Sequence, residues 1–302
     1  MRFAKRLKRQ VVWSTAQFFD RLLNILPRSA AVWLGSWIGM VAWAILPRDR
    51  YRIDRHLRLV YKDQLSEPQR RNLARSFFVN TGKNLVEVVR FRKHFAQEIK
   101  PLVEVEGLEH FDRAYRAGKG VIGITGHLGN FELLAAYIAS LGYEAGVIGR
   151  ELPDKRLDQW LVANRQAVGL VDFPTTESPR RILAWLKSGK VLGVLIDTDS
   201  IRRRGVFVPA FGRLSYTSAG QTILGIRTGA AFVPIVCVRT PGDRYKVIAR
   251  PAIEYNATDP EDELIRSLTL KCTKALEQFI ADYPDQWIWL HNRWHTRPED
   301  AS

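Results

Sequence analysis

The sequence is poor in cysteine and in acid. Its two cysteines among 302 residues are Cys237 and Cys272, and neither belongs to a C-x-x-C pair. That argues against a disulfide framework and fits a reducing compartment. Both lie in apolar or helical runs and read as small core residues. The chain carries no G-x-S-x-G elbow and no Walker A run. A serine hydrolase of the elbow type and a P-loop nucleotide site are therefore not expected. Acidic residues number 31 against 46 Lys and Arg, a net charge of +15. Such a surface draws polyanions: nucleic acid, anionic headgroups or an acidic carrier protein. Nine tryptophans among many arginines favour the headgroup layer of a membrane over nucleic acid.

What is present begins with a basic cluster, Arg2, Lys5, Arg6, Lys8 and Arg9, suited to anionic headgroups. An amphipathic stretch, Val11 to Leu26, follows. Ala30 to Leu46 then runs without a charge, with Arg28 before it and Arg48 and Arg50 after. As a helix those residues cover about 25 Å at 1.5 Å each, against a bilayer core of roughly 30 Å. The expectation is a membrane anchor, spanning or half-inserted. No small-x-small cleavage site follows, so removal as a signal peptide is not expected.

Residues 1–50 thus read as a basic, hydrophobic anchor and 51–302 as the working part. Tyr51 to Lys100 is basic and helical in pattern, with a helix start at Ser66-Glu67-Pro68. Beyond residue 101 short apolar runs alternate with helical stretches. Strands are expected at Val121–Thr125, Gly146–Gly149, Val191–Asp197, Ala231–Val238 and Tyr245–Ala249. Helices are expected at Phe131–Ser140, Asp154–Val168, Pro179–Lys187, Thr217–Arg227 and Glu261–Asp282. This alternation predicts an α/β fold, a central and mostly parallel sheet flanked by helices.

The segment VIGITGHLGNFELL, Val121 to Leu134, carries the chemistry. An apolar strand ends at Thr125, a glycine-rich turn holds His127, and Asn130 is a good N-cap for the helix that follows. On one continuous helix His127 and Glu132 would point about 140° apart. With His127 on the turn and Glu132 in the first helical turn, their side chains can meet. The carboxylate could then hold the imidazole in one tautomer while it takes a proton from a hydroxyl. The helix N-terminus offers N–H groups to an oxyanion.

GHLGNFE resembles the H-x4-[DE] motif of glycerolipid acyltransferases. More narrowly it resembles the late acyltransferases of lipid A biosynthesis, the lauroyl and myristoyl transferases, with Phe131 where those carry Trp. Asp197-Thr198-Asp199 followed by GVFVPAFG (205–212), the run around Pro234, and YPDQWIWLHNRWHTRP (283–298) are similar to further segments of that family. The F-P-E-G-T-R motif of glycerolipid enzymes is absent. The resemblance implies an acyl thioester donor, usually acyl carrier protein, and a hydroxyl of a lipid A precursor as acceptor. It implies no cofactor, no metal and no nucleic acid, and a place at the bacterial inner membrane with the active site on the cytoplasmic side. His127 would be the general base and Glu132 its orienter. Arg150 would meet an acceptor phosphate or the tetrahedral intermediate. Asp197 and Asp199 either line the site or cap the next loop, and Arg202, Arg203 and Arg204 either are solvated or contact an anion. His291 and His295 have the spacing of metal ligands on a helix, but no third ligand is evident, and the nearby tryptophans suggest packing near a membrane. Another acceptor, a lysophospholipid or a phosphoinositol mannoside, is the alternative.

Overall fold

The computed structural model describes residues 2–199 and 204–300, with side chains from Arg9 onward. Four helices lead: α1 (Arg2–Ile25), α2 (Arg28–Ile45), α3 (Pro47–Tyr61) and α4 (Glu67–His94). Ser66 begins α4 with a capping box, its backbone N–H donating to Gln69 Oε1 at 2.7 Å. Strands and helices then alternate: β1 (Val103–Glu106), α5 (Leu108–Arg116), β2 (Val121–Thr125), α6 (Phe131–Ser140), β3 (Ala145–Gly149), α7 (Lys155–Ala167), β4 (Val171–Pro174), α8 (Pro179–Lys187) and β5 (Val191–Leu195). A hairpin, β6 (Gly205–Ala210) and β7 (Arg213–Ser218), precedes α9 (Gly220–Thr228), β8 (Ala231–Thr240), β9 (Arg244–Ala249) and α10 (Glu261–Asp282).

The sheet order is β1-β9-β8-β2-β5-β3-β4. From β8 to β4 the strands are parallel, and β9 returns antiparallel to β8. The expected α/β architecture is therefore present. The strands β1 and β4 and the β6–β7 hairpin were not expected, because each is short or only partly buried. Thr217 and Ser218, expected to begin a helix, instead close β7.

Alternation along the strands divides the core in two. Ile122, Leu192 and Phe232 face α10 and the C-terminal tryptophans. Val121, Val191 and Val233 face α5 and α6. Parallel strands buried on both faces are apolar throughout, as VIGIT and VLGVL are.

The N-terminal helices dock on α4 through a glycine contact and a buried ionic cluster. A Cβ on Gly35 would lie 2.8 Å from the Gly82 carbonyl oxygen, so α2 and α4 approach backbone to backbone. Glu87, fully buried, accepts from Arg28 at 2.5 Å and from Arg239 at 2.7 Å. Arg90, also buried, donates to the carbonyls of Leu23 and Leu26 and pairs with Glu98. The far side of α2 is uncovered: Trp33 is 63% exposed and Ile45 67%. Among the described residues no single helix is long and apolar enough to cross a membrane; α2 and Pro47–Gln64 form an apolar pair bent by 88°. The side chains of Arg2, Lys5, Arg6 and Lys8 lie outside the described set.

Candidate active site

β2 and β5 lie side by side in register, Thr125 opposite Leu195. Carrying that register two residues past the strand ends brings His127 beside Asp197. His127 Nδ1 and Asp197 Oδ1 are 2.8 Å apart, and the His127 backbone N–H donates to Asp197 Oδ2 at 2.7 Å. Trp287 Nε1 also donates to Asp197 Oδ2, at 2.8 Å. The aspartate is thus fully engaged, while the imidazole keeps 21% of its side-chain surface exposed. This is the carboxyl end of the central parallel strands, where α/β sheets place their ligands.

Burial works against a charged imidazole, but the facing Asp197 outweighs it and raises the His127 pKa above the ordinary histidine range. Burial also opposes the Asp197 charge; His127 and Trp287 overcome it and hold that carboxyl far below the usual range. The pair is built to keep Asp197 ionised and to stabilise an imidazolium. His291 lies on the other side, its ring centroid 4.7 Å from that of His127. Burial, reinforced by charge on His127, lowers its pKa and favours the neutral form.

The carboxylate expected on His127 was Glu132; the carboxylate found there is Asp197. Glu132 instead makes a forked pair with Arg165 of α7, through Nε at 3.0 Å and Nη2 at 2.5 Å. Arg165 also bonds Asp172. Five residues along the chain, with a helix start between, turn Glu132 towards α7 and leave Nδ1 to the neighbouring strand. Glu132 acts on the imidazole only through its charge, which also raises the pKa.

The catalytic turn is braced on three sides. Gly129 donates its N–H to the Gln286 carbonyl at 3.0 Å, and the Ile288 N–H donates to the His127 carbonyl at 3.1 Å. Asn84 of α4 donates to the Gly129 carbonyl at 2.8 Å. Asn130 donates its N–H to the Cys237 carbonyl at 2.8 Å. Gly129 has φ +59°, and a Cβ there would strike the Cys237 carbonyl; only glycine fits. Asn130 caps α6, its Oδ1 accepting from Leu133 N–H at 3.0 Å, while its Nδ2 is buried without a protein partner.

Asp199 accepts from the backbone N–H and hydroxyl of Thr296, both at 2.7 Å, so it ties down the C-terminal segment and not the loop that follows it. Arg150 is exposed just past β3. Arg204 pairs with Asp262 at 3.2 Å, and Arg202 and Arg203 lie outside the described residues. The tryptophans expected near a membrane include two core residues: Trp287 is 2% exposed and Trp289 0%. Among the described residues no group of three or more His, Cys, Asp or Glu is arranged for a metal. Both thiols are buried and their pKa values pushed up, that of Cys272 to about 12, so neither is an activated nucleophile.

An apolar cavity of about 70 Å³ adjoins the pair, between the sheet and α5 and α6. Thr125, Phe131, Glu132, Arg165 and Leu195 lie at its catalytic end, and Phe111, Ala145 and Val191 at its deep end. From Val191 to Leu195 a strand rises about 13 Å. Gly123 and Gly193 are register partners. On the α6 face they leave the sheet bare, with ordinary room for a Cβ at each: the nearest atoms would be 3.6 and 3.5 Å away.

A buried Asp–His pair at strand ends, beside an apolar cavity and a helix N-terminus, is an arrangement able to take a proton from a hydroxyl. The chain belongs to the bacterial lipid A biosynthesis acyltransferase family, whose sequence model matches residues 1–296. It is similar to the lipid A biosynthesis lauroyltransferase of Escherichia coli (strain K12), 28% identical over 277 residues covering 91% of this chain and 88% of the relative. The palmitoleoyltransferase of the same organism is 25% identical over 280 residues, 92% and 89% of the two chains. A phosphatidylinositol mannoside acyltransferase of Mycobacterium tuberculosis (strain CDC 1551 / Oshkosh) is 24% identical over 194 residues, 63% and 59%. The protein is accordingly an O-acyltransferase acting on a lipid acceptor.

Proposed function

We propose that the protein transfers a fatty acyl chain from acyl carrier protein to a hydroxyl of a lipid A precursor, with His127 as general base. The observation that carries the mechanism is the Asp197–His127 pair at 2.8 Å. Asp197 fixes Nδ1–H, which leaves Nε2 as the acceptor for a hydroxyl proton. The freed alkoxide attacks the thioester carbonyl, and a tetrahedral oxyanion forms. It collapses as the C–S bond breaks, and the imidazolium returns its proton to the leaving thiolate. Free N–H groups in the first turn of α6 and the Arg165 guanidinium supply positive potential for the oxyanion. Glu132 serves as the positioning residue for Arg165.

The acyl chain lies in the cavity under α6, over the bare Gly123–Gly193 strip. Arg150 meets an acceptor phosphate. The outward faces of α1 and α2, with Phe18 62% and Trp33 63% exposed, rest in the cytoplasmic surface of the inner membrane, half-inserted. A mannoside or lysophospholipid acceptor is the second reading, favoured by the mycobacterial relative alone.

The test is mass spectrometry of lipids after incubation with acyl carrier protein thioesters of several lengths and a tetra-acylated precursor. One added acyl group, absent with His127→Ala, is expected. No gain on that precursor, with gain on a mannoside or lysophospholipid, would reassign the acceptor.

A further inference from the structure

A second, larger apolar space of about 700 Å³ runs between α1, α4 and α7. Trp13 and Phe19 of α1, Leu85 and Val89 of α4, and Leu157 and Trp160 of α7 line it. Leu85 is 58% exposed and Phe19 37%, so this trough is open and apolar, which favours an apolar occupant over water. It shares no lining residue with the cavity under α6.

Two of its walls, α4 and α7, carry residues that bond the His127 turn or the helix that follows it. Leu85 follows Asn84, which donates to the Gly129 carbonyl at 2.8 Å. Trp160 lies five residues before Arg165, about 8 Å along α7, and Arg165 clasps Glu132. Arg21 and Arg92 border the groove, both exposed, and neither has an ion-pair partner among the described residues. The one carboxylate in the lining, Asp20, accepts from the Trp160 indole N–H at 3.2 Å and from Asn24 Nδ2 at 3.5 Å. The groove is therefore apolar along its floor and cationic at its edge.

We infer that this groove binds the acyl chains of the acceptor lipid, its anionic headgroup against Arg21 and Arg92 and its hydroxyl delivered to His127. The inference rests on the transferase reading above. It gives each fatty substrate its own apolar space, as direct transfer from a carrier-bound acyl thioester to an acylated acceptor requires: the donor chain under α6, the acceptor chains between α1, α4 and α7.

The test uses the full chain in detergent micelles, with a tetra-acylated, bisphosphorylated glucosamine disaccharide as acceptor. Ala16→Trp, which fills the groove, should raise the acceptor KM about tenfold and leave the KM for the acyl thioester within about twofold. The double variant Arg21→Ala/Arg92→Ala should raise the KM for the bisphosphorylated acceptor and not for its dephosphorylated form. An unchanged acceptor KM in both variants, or an equal rise for donor and acceptor, overturns the groove assignment while the transferase reading stands. If the wild type acylates no lipid at all, that reading falls. Equilibrium binding of the same acceptor to wild type and Ala16→Trp then still decides the groove: equal binding overturns it, weakened binding supports it.

Discussion

The catalytic turn and the N-terminal helical layer meet where Asn84 bonds the Gly129 carbonyl, yet the two are built on opposite terms. Around the turn the backbone and the carboxylate are answered from within: Asp197 accepts three hydrogen bonds, and Gly129 and Asn130 donate their N–H groups to the Gln286 and Cys237 carbonyls. In the helical layer the inward side is held by ion pairs, through Glu87 and Arg90, but the outward side is not. Val11, Phe18, Ile25, Trp33 and Ile45 are all more than half exposed, and Arg21 and Arg92 have no ionic partners among the described residues. A general base must hold one geometry within a fraction of an ångström. The outward face leaves its apolar contacts open, as the proposed rest on a membrane requires.

The largest effect that could break this comparison is loss of the base. His127→Ala should lower acyl transfer by about 10³-fold or more, read as product mass per unit time at a temperature where the variant is folded. Glu87→Ala probes the inward side of the helical layer. It removes the buried carboxylate shared by Arg28 and Arg239, leaving Arg239 only Asp243 and Asn84, and should cost about 3–5 kcal/mol, measured by denaturant unfolding; a cost near that of a surface substitution would mean the cluster is not the joint between the two regions. Gly193→Leu sharpens the account of the cavity. It should shift donor preference to shorter thioesters and cost about 1–3 kcal/mol of overpacking, checked by competition between chain lengths; an unaltered preference would place the acyl chain elsewhere. Smallest is the effect at the exposed outward side of α2, where the proposed function puts the membrane. Trp33→Glu/Trp37→Glu should weaken pelleting with anionic vesicles and leave the unfolding midpoint near that of wild type.

Much of the architecture is legible in the sequence because it is written locally. Apolar runs such as VIGIT and VLGVL read as strands, Ser66 and Asn130 as helix starts, and the glycine turn around His127 as a site. The partner of His127 is not legible in this way. Asp197 is 70 residues away, and only the register of β2 on β5 brings the two together; the D-x-D run after an apolar strand was the available signal. The role of the tryptophans was misread for the same reason. Trp287 and Trp289 look like interfacial residues by composition, but the strand-like pairing of Leu128 with Trp287 draws them into the core. The helix α2 has the composition of an anchor, while its glycines commit one face to α4.

The central claim is that Asp197, and not Glu132, orients and charges the base, and it is tested most directly by the pH dependence of kcat/KM for wild type, Asp197→Asn and Glu132→Gln. His127 must be neutral to act, so activity should fall as pH drops through a pKa that lies above the ordinary histidine value. Asp197 provides the larger share of that elevation. Its removal should therefore move the acid limb clearly to lower pH as well as lowering the plateau, whereas Glu132→Gln should move the limb less. An acid limb unmoved in Asp197→Asn and displaced in Glu132→Gln would contradict the account.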